Sequence, residues 1–238
     1  MEALQEYRHI IDKKTKDIFV KSVKGVISNN KFRDIGFVGI VGSIDKEYSH
    51  DIDLLIFPSK NAKIGDAISS IVKFYDSLDK ELKRHHERFY IAITPKKSTQ
   101  EMVYYLASLQ EGGAGLIPIH SLFFPDYKSF KKFNPENFQK EIKKNLITLH
   151  GEFGVIHEIR NDISQSKLEP YFVILDFEMS SKLKTFPKHL IRTSAESLFS
   201  YLHSKYNIPL SKKKHHNILD IEREIFRMLK YLDSVTYD

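Results

Sequence analysis

Residues 35–57 read IGFVGIVGSIDKEYSHDIDLLIF, and the two apolar runs in this stretch decide what the rest of the chain builds. Ile35 to Val41 and Asp51 to Phe57 are short and rich in aliphatic and β-branched side chains, which predicts two strands buried on both faces. Gly42-Ser43 opens a seven-residue polar loop, IDKEYSH, that leads to Asp51. Side chains alternate along a strand, so Asp51 and Asp53 fall on one face while Ile52, Leu54 and Ile56 enter the core on the other. Two carboxylates whose Cα atoms stand roughly 7 Å apart repel one another unless a cation lies between them. A hard divalent ion such as Mg2+ supplies that cation and takes its remaining ligands from water and substrate phosphates. A glycine at a strand end lets the backbone approach a ligand, and Ser43 offers a phosphate both its N–H and its hydroxyl. Gly42, Ser43, Asp51 and Asp53 therefore predict one phosphate-and-metal pocket at the ends of two adjacent strands.

Outward from this centre, the apolar positions of residues 3 to 28 predict an amphipathic helix ended by Asn29-Asn30. Ile64, Ile68, Ile71, Val72, Tyr75, Leu78 and Leu82 predict a helix from Asn61 to Arg84 with one buried face. RFYIAIT (88–94) reads as a third strand, Gln100 to Leu109 as a helix, and LIPIHSLFF (116–124) as a fourth strand that Pro118 marks as an edge or a late entrant to the sheet. Asn134-Pro135 starts a helix running to about Leu149. YFVILDFEM after Glu169-Pro170 fits a strand or a buried helix, with helix formers on both sides favouring the helix. Further helices are expected after Thr185 to Pro187 and over Ile218 to Leu232, separated by Asn207 to Pro209 and the basic loop SKKKHHN. Strands first and helices second predict an α+β fold: a mixed sheet with flanking helices over residues 1–130, followed by a helical C-terminal domain over 131–238.

Composition narrows the function. Hydrophobic residues make up 41% of the 238, ample for a core, and the formal net charge is +6. Eleven basic residues against six acidic from Ser181 onward put most of that excess in the helical part, which suits a polyanionic partner. The chain has no cysteine, which excludes disulfides and thiolate metal sites and permits a reducing compartment. No signal-peptide core and no run of roughly 18 apolar residues is present, so the expectation is a cytoplasmic protein without a membrane partner. P-loop, dinucleotide, zincin and hydrolase-elbow patterns are absent. His85-His86, His150, His157 and His215-His216 lack a shared ligand spacing and read as surface residues.

A strand, Gly-Ser, a short polar loop and Asp-x-Asp leading an apolar strand resembles the DNA polymerase beta-like nucleotidyltransferase superfamily, through Gly42, Ser43, Asp51 and Asp53. The resemblance implies that Gly42 and Ser43 hold nucleotide phosphates and that Asp51 and Asp53 bind two Mg2+ (or Mn2+) ions. It implies transfer of a nucleoside monophosphate from a nucleoside triphosphate such as ATP to an acceptor hydroxyl, with pyrophosphate released. It extends over residues 30 to 60, and beyond them only in element order. The loop lacks the glycine that many members place after the serine; Lys46 is the candidate to meet the phosphates instead. Members also carry a third carboxylate on a following central strand, and neither RFYIAIT nor LIPIHSLFF contains an acid. His120 stands at the expected position, able to act as a general base near neutral pH or to ligate Mn2+. Asp126 or Asp176 reaching in, or a degenerate chain that binds nucleotide or RNA without transfer, are the alternatives. The basic C-terminal part, with Lys212, Lys213 and Lys214, suits an RNA acceptor.

Overall fold

A computed structural model of the chain describes residues 11–30, 32–41, 52–85, 89–91, 104–105, 117–132, 140, 142, 144–159, 163–183, 188–211, 215 and 217–237. Its architecture is α+β, a mixed sheet with helices against both faces. Helix α1 (Lys13–Asn30) starts where the Asp12 carboxylate accepts the Thr15 N–H at 2.7 Å. That bond satisfies one of the donors a helix start leaves open. Strands β1 (Ile35–Val41) and β2 (Ile52–Pro58) pair antiparallel, and α2 (Ile64–His85) follows. Next come β3 (Phe89–Ile91), β4 (Tyr104–Tyr105) and β5 (Ile117–Phe123). The remaining elements are α3 (Tyr127–Lys132), β6 (Ile147–His150), a 3-10 turn (Phe153–Glu158), and helices α4 (Gln165–Leu183), α5 (Lys188–Tyr206) and α6 (Ile218–Tyr237).

The strand order is β3-β5-β2-β1-β6, with β4 also pairing β5. Strands β3 and β2 run parallel to β5, whereas β1, β6 and β4 are antiparallel to their neighbours. Both apolar runs of the opening stretch are continuous because both sheet faces are covered. Ile52, Leu54, Ile56, Val38 and Ile40 join one cluster with Phe19, Val23 and Val26 of α1 and the buried stripe of α2. Phe37, Leu55 and Phe57 join the other, where Phe57, Phe124, Phe130 and Phe153 stack edge-on or face-on at 5.3–6.2 Å. Full burial of each such side chain contributes about 1.5–3 kcal/mol.

The C-terminal helices continue the first cluster. Leu168, Phe172 and Met179 of α4 and Ile221, Met228 and Leu232 of α6 pack into the core that holds α1, α2, β1 and β2. Helix α6 also clasps the start of α2. The Asp233 carboxylate accepts Gly65 N–H and Tyr171 O–H, each at 2.9 Å, Tyr237 Oη accepts Ile64 N–H at 3.2 Å, and Lys230 pairs with Asp66 at 2.6 Å. Asn207, with φ of 54°, ends α5, and Pro209 prevents its resumption.

Several expectations change. Residues 104–105, expected within a helix, pair with β5 as a strand, and the helix expected to reach Leu149 gives way to β6, whose Ile147, Thr148 and His150 positions pair with β1. Strand β5 is interior rather than an edge. The other reading of Pro118, late entry, fits the pairing with β2, which begins at Ile119, while Pro118 itself pairs with Tyr90 of β3. The division expected at residue 130 does not coincide with a break in packing: β6 extends the sheet and α4 and α6 share its core. Residues 1–10 of the first expected helix lie outside the described residues. Among the described residues no helix is long and apolar enough to cross a membrane.

Candidate functional site

The end of β1 and the start of β2 set the geometry. In the antiparallel ladder Val41 pairs with Asp53, so the residue just before Gly42 sits across from this aspartate. In the parallel ladder on the other side, Asp53 pairs with His120. Val41, Asp53 and His120 thus form one row across three strands, with neighbouring backbones about 5 Å apart. The alternation read from the sequence holds at this point: Ile52, Leu54 and Ile56 are fully buried in the first cluster, while Asp53 falls in line with Leu55 and Phe57 on the second face. Leu55 and Phe57 are covered by aromatic packing, but Asp53 is only half-buried, because that cluster stops short of the strand start. A carboxylate at this place keeps access to water without breaking the core.

Of the other residues expected at the site, Gly42, Ser43, Lys46 and Asp51 lie outside the described residues. For His120 the backbone position in β5 is defined. Asp126 does not approach Asp53. It lies past the far end of β5, 2% exposed, and accepts the Ser129 N–H at 2.7 Å and the Ser129 hydroxyl at 3.0 Å as the cap of α3. Burial pushes its carboxyl above the usual range, an effect the Ser129 bonds oppose. Asp176 belongs to α4, whose Phe172 meets Phe123 at 6.3 Å on the face opposite Asp53. Asp126 is therefore not a third carboxylate beside Asp53.

Asp53 is a hard oxygen donor at a partly open strand start, which fits a Mg2+ or Mn2+ ligand. Among the described residues no group of three or more histidine, aspartate or glutamate side chains is placed to hold an ion. Any ion held by Asp53 would take its other ligands from Asp51, water and substrate. One histidine expected at the surface is instead packed: His215 has a side chain 14% exposed, lies 4.9 Å from the Phe199 ring and places Nε2 3.9 Å from Glu224. The long-range register that joins Asp53 to His120 had no local signal, since it depends on how strands distant in the chain align. Compared with known proteins, the sequence matches no protein-family model and no curated protein.

Proposed function

We propose that the protein is a metal-dependent nucleotidyltransferase. The observation that carries this reading is the row Val41–Asp53–His120, which sets Asp53 across from the strand end that leads into Gly42-Ser43 and next to the backbone of His120. The superfamily resemblance expects a third catalytic group on a central strand; β5 lies between β2 and β3, and His120 is the register partner of Asp53. Asp51 and Asp53 would hold two Mg2+ (or Mn2+) ions, whose charge neutralises the triphosphate. Gly42, Ser43 and Lys46 would hold its β- and γ-phosphates. The acceptor oxygen forms a bond to the α-phosphorus, the bond from that phosphorus to the bridging oxygen breaks, and pyrophosphate leaves with its electron pair. The hydroxyl proton passes to His120 or to solvent. The basic excess of the C-terminal helices supports RNA as the acceptor.

A second reading is a nucleotidyltransferase scaffold that binds nucleotide or RNA without transfer. The observation favouring it is that Asp126, one of the acids nominated to complete the site, is engaged in the cap of α3 away from Asp53. Incubation with α-labelled nucleoside triphosphates, Mg2+ or Mn2+ and RNA separates the two. The transferase reading expects label in RNA and none with Asp53→Ala; saturable nucleotide binding without label transfer under either metal selects the binder.

A further inference from the structure

At the other end of β2 from Asp53, beyond the carboxyl ends of β2 and β5, a cavity of about 330 Å³ opens between the loop that follows β2 and the end of α6. Five residues of strand, about 17 Å, separate Asp53 from that end of β2, so this is a different place on the molecule. Its size falls within the range of small-molecule sites, and its walls divide by chemistry. Lys60, Asn61 and Lys63 supply one side; Pro125, Ile159 and Ile163 supply an apolar side. Tyr237 also lines the cavity, with Lys63 Nζ 5.9 Å from its ring centroid.

The first amides of α2 are already taken by Tyr237 and Asp233, so among the described lining residues the groups that attract an anion are the two ammonium groups and the Asn61 amide. Among the described residues the neighbouring acids are engaged: Asp66 with Lys230, Asp233 with Gly65 and Tyr171. Among the described residues Glu158 is the competitor, pairing with Lys60 at 2.9 Å; both side chains are more than half exposed, at 56% and 51%, so solvent screens the pair. A dianion can replace Glu158 at Lys60 and still neutralise Lys63, which a monoanionic carboxylate cannot. We propose that this cavity binds a small phosphomonoester, its phosphate between Lys60 and Lys63 and its apolar body against Pro125, Ile159 and Ile163. The site is independent of the transferase reading.

The test is isothermal titration calorimetry of the full chain with phenyl phosphate at low ionic strength, with benzoate and phenol as controls. Saturable binding of phenyl phosphate is expected, with benzoate about tenfold weaker and phenol silent, because the second charge contributes through a charge-assisted contact. Lys63→Met and Lys60→Met should each weaken binding about fivefold, and Glu158→Gln should tighten it about threefold by removing the competitor. Asp53→Asn should leave it unchanged, which separates this site from the strand-end pocket. The proposal is overturned by absent saturation at about 10 mM, a weak limit for any specific site, or by benzoate binding as tightly as phenyl phosphate. Unchanged affinity in Lys60→Met/Lys63→Met with a wild-type melting curve overturns it as well, as does affinity lost in Asp53→Asn.

Discussion

Replacing Asp233 with alanine tests how the C-terminal helix is held to the sheet unit. Asp233 is 1% exposed, and its Oδ1 accepts both the Gly65 N–H at the start of α2 and the Tyr171 hydroxyl from α4. Alanine removes the acceptor, leaves the buried Gly65 N–H without this bond and leaves the Tyr171 hydroxyl its contact with Thr236, at about 1–3 kcal/mol for each bond lost. Relief of the carboxylate's own burial cost offsets part of this, giving a net loss of about 2–4 kcal/mol. With a urea slope of about 3 kcal/mol/M, the unfolding midpoint should fall by about 1 M, followed by circular dichroism at pH 7. Asp233→Asn keeps an acceptor and should lose less than half as much. The pH dependence adds a second reading. Burial pushes the Asp233 carboxyl above its ordinary 3.8, against the lowering by the Gly65 and Tyr171 bonds. A raised folded-state value means the native chain binds the proton more tightly, so the group's contribution is full below about pH 3.8 and is lost as pH rises through the folded value. Wild type should therefore lose stability relative to Asp233→Asn across that interval. A loss under about 0.5 kcal/mol for Asp233→Ala, within the range of ordinary surface changes, would refute the clasp.

Gly65→Ala should destabilise by about 1–3 kcal/mol despite better helix propensity, since the added Cβ would stand 2.7 Å from Asp233 Oδ2 and 3.0 Å from the Leu229 carbonyl oxygen; urea unfolding measures it. Asp126→Ala should cost about 1–2 kcal/mol through the lost cap of α3, and in the folded fraction leave nucleotidyl transfer unchanged. Burial alone would raise the Glu224 carboxyl, but hydrogen bonds from Arg227 and the Ser211 N–H outweigh it and hold it below the usual range. Its stabilisation is therefore present above about pH 4.5 and lost as pH falls through the folded value, so Glu224→Gln should cost about 1–3 kcal/mol at pH 7 and progressively less below pH 4.5 in acid unfolding curves.

What could be read from the chain follows from where its information is local. Strands β1 and β2 were legible because covered faces demand unbroken apolar runs, and Ile52, Leu54 and Ile56 point inward as period-two alternation requires. Strand β6 was not, since four residues such as ITLH carry too little pattern to outweigh the helical run before them, and only the open edge of β1 makes them a strand. Pro170 misplaced the start of α4, which begins at Gln165; the carbonyl that Pro170 leaves unbonded belongs to exposed Ser166, where water can serve it. His215 looked like a surface residue because SKKKHHN is basic throughout, whereas Phe199 of α5 covers it. At the candidate site, Asp53 was read from its own strand, but its placement beside Val41 and His120 depends on pairing between segments far apart in the chain.

The central claim, that Asp53 serves a metal-dependent phosphate site, is tested most directly by pyrophosphate release from nucleoside triphosphate and RNA in the presence of Mn2+ or Mg2+. Wild type should release pyrophosphate in step with acceptor extension, and Asp53→Asn, with an unchanged melting curve, should be slower by about 100-fold or more. An Asp53→Asn protein that releases pyrophosphate at the wild-type rate would contradict the account.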